Sequence, residues 1–430
     1  MSNFYTAKLQ DIAMVLVSNV DKKTYSGQKK VVLCNYMDVY SNDYITADLA
    51  FMESTASDKE ISQFTLKKGD IVITKDSESP FDIGVPAVVV DDIPNLVCGY
   101  HLAIIRPDLT QVDPYYLAKQ LSDDACVKYF GKVAAGSTRF GLSNGAIKET
   151  PIMLTGLPTQ RKIGHISRNV NAQIVATEAL VSKYQRVKQG IMTDLFSRGI
   201  DTATGQLRPS VHDAPELYQE TSIGLLPKEW EVCPLGSISS IASGITLGKD
   251  LSKMTTVRVP YLRVANVQDG YLDLTEVKFV DVPEAEATKY LLLYGDVLMN
   301  EGGDFDKLGR GAVWRNEVEG CCHQNHVFRV RTVQAELRPE FLAYWSASTY
   351  GKRYFILNSK QSTNLASINS TQLKAFPVAK PSVDEQSAIE DRLQSIDRMI
   401  DMCQLDVDKL KQQKSGLMRD LLTGKVPVSA

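Results

Sequence analysis

Two stretches of the chain place apolar residues alternately four and three positions apart. The later one runs through Ile389, Leu393, Ile396, Ile400, Cys403, Val407, Leu410, Lys414, Leu417 and Leu421. That spacing is the narrow seam of a heptad repeat. In the same register the earlier stretch gives Ile163, Ser167, Val170, Ile174, Thr177, Val181, Tyr184, Lys188, Ile191 and Leu195. The earlier copy is poorer in apolar residues, yet its lysine falls in the same place. Both stretches follow a proline-marked extended segment ("GLPTQR", "AKPSVDEQ") and stop near glycine ("SRGID", "LTGKV"), as helices do. About 40 residues lie between those marks, or about 60 Å of helix. A helix that long with so narrow a seam needs a partner. The other copy is the expected one, and the regular spacing favours it over two helices each lying on its own globule.

The same register runs far beyond the helices. "KQGIMTDLF" (188–196) and "KSGLMRDLL" (414–422) are 226 residues apart. At that offset Leu9, Ile12 and Val15 meet Leu235, Ile238 and Ile241, and "GDIV" (69–72) meets "GDVL" (295–298). "KYF" (128–130) meets "RYF" (353–355), and Ser137-Thr138 meets Ser362-Thr363, at 225. Lys148, Pro151, Gln160, Ile163 and Ile174 then meet Lys374, Pro377, Gln386, Ile389 and Ile400. Such self-similarity marks a tandem duplication. The order is globule, helix, globule, helix. The predicted architecture is a mixed α/β (α+β) fold with two globular domains, 1–157 and 229–383. Two long helices, 158–198 and 384–425, join them as an antiparallel coiled coil with pseudo-two-fold symmetry. The polar stretch 199–228, rich in Pro, Gly and Thr, reads as a linker with reach enough for antiparallel helices.

Composition adds boundaries. The chain has 430 residues and a formal net charge of −3, and residues 1–150 carry 15 Lys and Arg against 19 Asp and Glu. General affinity for nucleic acid is therefore not expected, and any DNA contact must use small local patches. No apolar run reaches the roughly 18 residues of a membrane span, and the start lacks a basic segment ahead of an apolar one. Seven scattered cysteines suit a reducing compartment. Together these features predict a cytoplasmic protein.

Candidate chemistry is sparse. "SGITLGKD" has three residues between Gly244 and Gly248 and an Asp after its lysine, which does not fit a phosphate-binding loop. "CCHQNH" (321–326) offers four potential metal ligands, but adjacent cysteines on a strand face opposite ways. Only His326 has a counterpart, His101, in the first half. Asp269 with Glu276 and Lys278 is a loose and common nuclease-like pattern. No glycine-rich cofactor loop follows a strand, so neither catalysis, a cofactor nor a metal is expected. Bases and short hydroxyls do gather in loop-like sequence: Lys128, Lys132, Ser137, Thr138, Arg139 and Lys148, then Lys352, Arg353, Lys360, Gln361, Ser362, Thr363 and Asn364. Lys and Arg neutralise phosphates, and Gln, Asn and Arg pair with base edges. Tyr129-Phe130 and Tyr354-Phe355 are expected in the core. Duplicated halves suit a target that is itself roughly two-fold, such as duplex DNA.

The motifs "LPKEWEVCPLGSI", "GDVLMNEGG", "QSTNLASIN", "VDEQSAIEDRLQSIDRMID" and "KSGLMRDLLTGKV" resemble the specificity subunits of type I restriction-modification enzymes. The first half echoes them as "GDIVITKDSES", "GSTRFGLSNGAIKETPI" and "QGIMTDLFSRGI", without a counterpart of "LPKEWE". The resemblance implies two target recognition domains, each reading half of a bipartite sequence in double-stranded DNA, with the helices as a ruler between them. It also implies partners: two copies of a DNA adenine methyltransferase (modification) subunit and a restriction/translocase subunit. Two alternatives are the specificity chain of a two-subunit system cutting on both sides of its site, and a coiled-coil scaffold that binds proteins instead of DNA.

Overall fold

The computed structural model describes residues 4–303, 308–309, 311–361 and 366–428. The chain divides into two compact units, Met1–Ala179 with Gln404–Ala430, and Leu180–Cys403. The division falls inside both long helices, Leu157–Arg198 and Val383–Leu422. Each unit thus holds one globule, the first part of one long helix and the last part of the other.

In the first unit the globule carries a five-stranded sheet, whose central strands Ile71–Thr74 and Leu102–Pro107 pair antiparallel, and a three-stranded sheet. Its first strand, Tyr5–Lys8, pairs antiparallel with its last, Pro151–Leu154, so the chain leaves the globule beside its entry. The second unit repeats this plan. Glu231–Pro234 pairs with Pro377–Lys380, and Val297–Asn300 pairs with Val327–Thr332 in a four-stranded sheet.

The repeated "GD" turns explain themselves. Gly69 (φ 91) and Gly295 (φ 87) take a left-handed conformation open to glycine. The buried carboxylates of Asp70 and Asp296 then accept backbone N–H bonds from Lys67 and Leu293, both at 2.8 Å. Each carboxylate also takes a two-pronged contact from an arginine, Arg106 at 2.8 and 2.7 Å and Arg331 at 2.7 and 2.8 Å. A buried charge needs such pairing, because removing one partner costs about 3–5 kcal/mol.

Gln160 and Gln386 bind each globule to the start of its helix. The Gln160 amide donates to the carbonyls of Thr155 and Gln111 and accepts from the N–H of Asp113. Gln386 does the same with Pro381, Glu336 and Arg338. Both helices stop at a glycine of positive φ, Gly199 (66) and Gly424 (71). Each such glycine lies against the aromatic residue that precedes a globule's first strand, Gly199 on Trp230 and Gly424 on Phe4. Phe4 therefore stands where Trp230 stands, although the surrounding "LPKEWE" has no counterpart.

The stretch expected as a plain linker is built into the second unit. It forms two hairpins, Ile200–Asp201 with Gln206–Leu207 and Tyr218–Thr221 with Gly224–Pro227. Arg208 locks them by ion pairs to Glu385 and Glu229, both 2.5 Å. Composition reported the polarity of this segment but not the single buried charge that folds it. Among the described residues, no helix is long and apolar enough to cross a membrane.

Candidate nucleic-acid interface

The helical seam is a packed surface within each unit. In the first unit Ile163, Ser167, Ile174, Val407 and Leu421 are buried, and Val170, Thr177, Leu410, Lys414 and Leu417 are half-buried. In the second, Val181, Leu195, Ile389 and Leu393 are buried, and Tyr184, Lys188, Ile191, Ile396, Ile400 and Cys403 are half-buried. The flanks are largely exposed, as a narrow seam requires.

The helix segments run antiparallel within each unit. In the first, Lys414 Nζ donates to Asn171 Oδ1 at 2.8 Å and Lys411 meets Glu178 at 2.7 Å. In the second, Lys188 meets Asp397 at 2.6 Å while Leu195 and Phe196 share a core with Ile389 and Leu393. Asn171 and Asp397 are themselves 226 apart, so the repeated lysine makes the same cross-helix contact twice. A polar group at one seam position fixes register at some cost in stability. Lys414 also reaches Asp43 at 2.7 Å, which Lys119 contacts at 3.0 Å. Burial raises the Asp43 pKa, but the two lysines outweigh it and hold the carboxyl at about 2. Lys119 is pushed down, chiefly by burial. These groups line an open groove of about 1270 Å³ in the first unit.

The described candidate DNA contacts lie on short helices and the loops that follow them. Ala135 and Gly141 exchange backbone hydrogen bonds at 3.0 and 2.9 Å, which closes a short loop and leaves Ser137, Thr138 and Arg139 exposed. The helix Asp124–Val133 leads into this loop, with Lys128 and Lys132 exposed one turn apart. Lys148, on a different short helix, is half-buried. In the second unit Lys352 and Arg353 are exposed on the helix Thr349–Asn358, and Lys352 lies 3.6 Å from Asp269. Lys360–Gln361 pairs antiparallel with Ala366–Ser367. Ser362, Thr363 and Asn364, with the side chain of Gln361, lie outside the described residues.

Both loops are fastened to the same place. The carbonyl of Lys75 accepts from the N–H of Leu142, and that of Glu301 from Ile368, each at 2.8 Å. The N–H groups of the same two residues donate to the carbonyls of His101 and His326, each at 3.0 Å. The aromatic pairs behind the loops do the packing expected of them. Phe130 and Phe355 are fully buried, and the hydroxyls of Tyr129 and Tyr354 donate to the carbonyls of Ala146 and Gln372.

The structure scatters the other motifs. Cys321 belongs to a core cluster with Trp314 and Leu262, whereas Cys322 points into another with Ile245 and Tyr261. His323 is buried with its Nδ1 2.7 Å from the carbonyl of Val327, and burial lowers its pKa to about 4. Asp269 turns to Lys352, and Glu276 to Arg263 and Lys278. The residues that the sequence reading passed over are Lys75, Asp76 and Glu301. Their only signal was the His101–His326 match, which was weighed for metal alone.

Residues 227–411 match a family described as the type I restriction modification DNA specificity domain. Over 210 residues, 48% of this chain and 49% of the relative, the sequence is 28% identical to the putative type I restriction enzyme MjaX specificity subunit of Methanocaldococcus jannaschii. The MjaVIII specificity subunit of the same organism is 25% identical over 284 residues, 64% of this chain and 62% of that one. The chain thus spans about half to three-fifths of the length of these two relatives. The StySPI specificity subunit of Salmonella potsdam is 21% identical over 391 residues, 90% of this chain and 79% of that one. A crystal structure of the type I restriction-modification S subunit from M. genitalium shares the fold, with a TM-score of 0.55 at 14% identity over 100% of this chain and 97% of that one. With the duplicated globules and paired helices, these matches make the chain similar, in sequence and in fold, to the specificity subunits of type I restriction-modification enzymes.

Proposed function

We propose that the chain reads a bipartite sequence in double-stranded DNA, one half per globule, and scaffolds the enzymes that act there. The observation that carries this reading is the exposed polar loop Ser137–Arg139 of the first half, together with the matching backbone anchors, Leu142 on Lys75 and Ile368 on Glu301, in the two halves. Regions 1–157 and 229–383 act as target recognition domains, and 158–198 and 384–425 as spacers. The partners are two adenine methyltransferase subunits and a restriction/translocase subunit. The chain itself supplies no catalysis, works without a cofactor, and acts in the cytoplasm. Methylation or cleavage of DNA by the purified chain alone would refute that part.

Methylome sequencing of cells carrying loop variants tests the recognition reading. Replacing Ser137, Thr138 and Arg139 together should change one half of the methylated sequence and leave the other intact. Both halves changed, or neither, would remove these residues from the site. The spacer reading has a separate test, because a helix sets distance at about 1.5 Å per residue against 3.4 Å per base pair. A seven-residue insertion in one spacer keeps the seam in phase and adds about 10 Å, or about three base pairs. The unread gap should lengthen while both half-sequences persist. Full activity with an unchanged gap would show that the helices do not set the spacing.

A further inference from the structure

We propose that His101 and His326 are a duplicated pair of DNA-phosphate contacts, each an imidazole held by a carboxylate of its own globule. The proposal rests on the DNA-reading function above and names two contacts that it does not contain. His101 Nδ1 lies 2.8 Å from Asp76 Oδ2, and His326 Nδ1 lies 2.6 Å from Glu301 Oε2. Both rings stand just before the strand that pairs with the "GD" strand of their sheet, and both backbone carbonyls hold the residue that anchors the loop. The histidines are topological equivalents. The carboxylates are not, since Glu301 occupies the place of Lys75 while Asp76 is one residue further on. The pairing was therefore reached by two different side chains, whereas a mere inherited contact would have kept one.

A core histidine is the plain alternative, and exposure decides against it. The side chains of His101 and His326 are 30% and 57% accessible, whereas His323, three residues before His326, is fully buried. Around His101 the facing charged and titratable groups are Asp76 and Lys75, with Tyr100 edge-on at 4.9 Å and Lys75 over the Tyr100 ring at 4.8 Å. Asp76, Glu78 and Asp82 all act on the nearby Tyr36 hydroxyl. Among the described residues, Glu301 is the charged group that His326 contacts.

The chemistry follows from the two ring nitrogens. A carboxylate that accepts from Nδ1–H fixes the tautomer, so that the neutral ring offers only a lone pair at Nε2. That lone pair repels a phosphate oxygen. Only a doubly protonated ring presents an N–H at Nε2, so phosphate binding through that nitrogen and proton uptake become one event. Up to one proton per half is then taken up when the duplex docks.

The test is calorimetry of the full chain, assembled with its methyltransferase subunits, binding its duplex target in buffers of different ionisation enthalpy from pH 6 to 8. The wild type should take up protons on binding, up to two in all, and its affinity should fall as pH rises. His101→Gln or His326→Gln should each remove one of those protons, and the double variant both. His212→Gln, at an almost fully exposed ring in the turn between the two hairpins, should remove none. A wild type that binds with no proton uptake overturns the inference without needing any variant to fold, and so does a double variant with unchanged uptake. A wild type that binds no duplex at any pH overturns the DNA-reading function as well.

Discussion

The two units share their fastenings and differ in what the fastenings present. Asp70 with Arg106 and Asp296 with Arg331, Gln160 and Gln386, and Lys414 and Lys188 recur at matching places. Each of these polar groups holds a sheet turn, a helix to its globule, or the two long helices to each other. The loops and edges diverge. One loop is closed by the pair Ala135–Gly141, the other is bounded by the strands Lys360–Gln361 and Ala366–Ser367. The small three-stranded sheet, by contrast, is shared: Lys29–Cys34 pairs antiparallel with Met52–Ala56 as Thr256–Leu262 does with Lys278–Pro283. Buried polar contacts tolerate little change because each unmet group costs free energy, while exposed loops carry no such constraint. A duplicated protein can thus keep one scaffold and acquire two binding faces.

That comparison can be broken most forcefully at the buried ion pairs. Arg106→Leu and Arg331→Leu each strand a buried carboxylate and should lower stability by about 3–5 kcal/mol. Urea denaturation should show similar losses for the two variants. A loss confined to one half would mean that the scaffold is not shared in energy as it is in geometry.

Gln160→Leu and Gln386→Leu sharpen the same point at the helix starts. Each leaves two carbonyls and one N–H without their partner, for a loss of about 2–3 kcal/mol. Hydrogen exchange should show the opening localised to Asp113 in one variant and Arg338 in the other. Exchange unchanged at both would show that the glutamines do not fasten the helices.

The smallest effect distinguishes the two repeated lysines. Asp43 has a folded pKa depressed to about 2, so its contribution is fully present above the ordinary carboxyl range. It is lost as pH falls from about 4 through about 2. Because Asp43 is more than a third exposed, solvent screening keeps this contribution to about 1 kcal/mol. Lys414→Met should shallow the acid-induced loss of stability in that window, whereas Lys188→Met should leave Asp43 untouched. Equal acid titration curves for the two variants would contradict the assignment.

Local periodicity and internal repetition were enough to determine the duplication and the two long helices with their narrow seams. Those features depend on residues a few positions apart, or on the same pattern met twice, which a linear sequence displays directly. The residues of the histidine–carboxylate pairs lie 25 apart in the chain, and Arg208 lies 177 from Glu385. No spacing rule links such residues, because their meeting depends on sheet pairing and on where the chain turns back. The linker showed the same limit: its polarity was legible, but one buried arginine between two carboxylates turned it into packed hairpins. Lys188 and Lys414 stood out in sequence as intruders in an apolar seam. Only the tertiary structure supplied the Asp397, Asn171 and Asp43 side chains that satisfy them, since a charge is tolerated there according to the partners that folding brings to it.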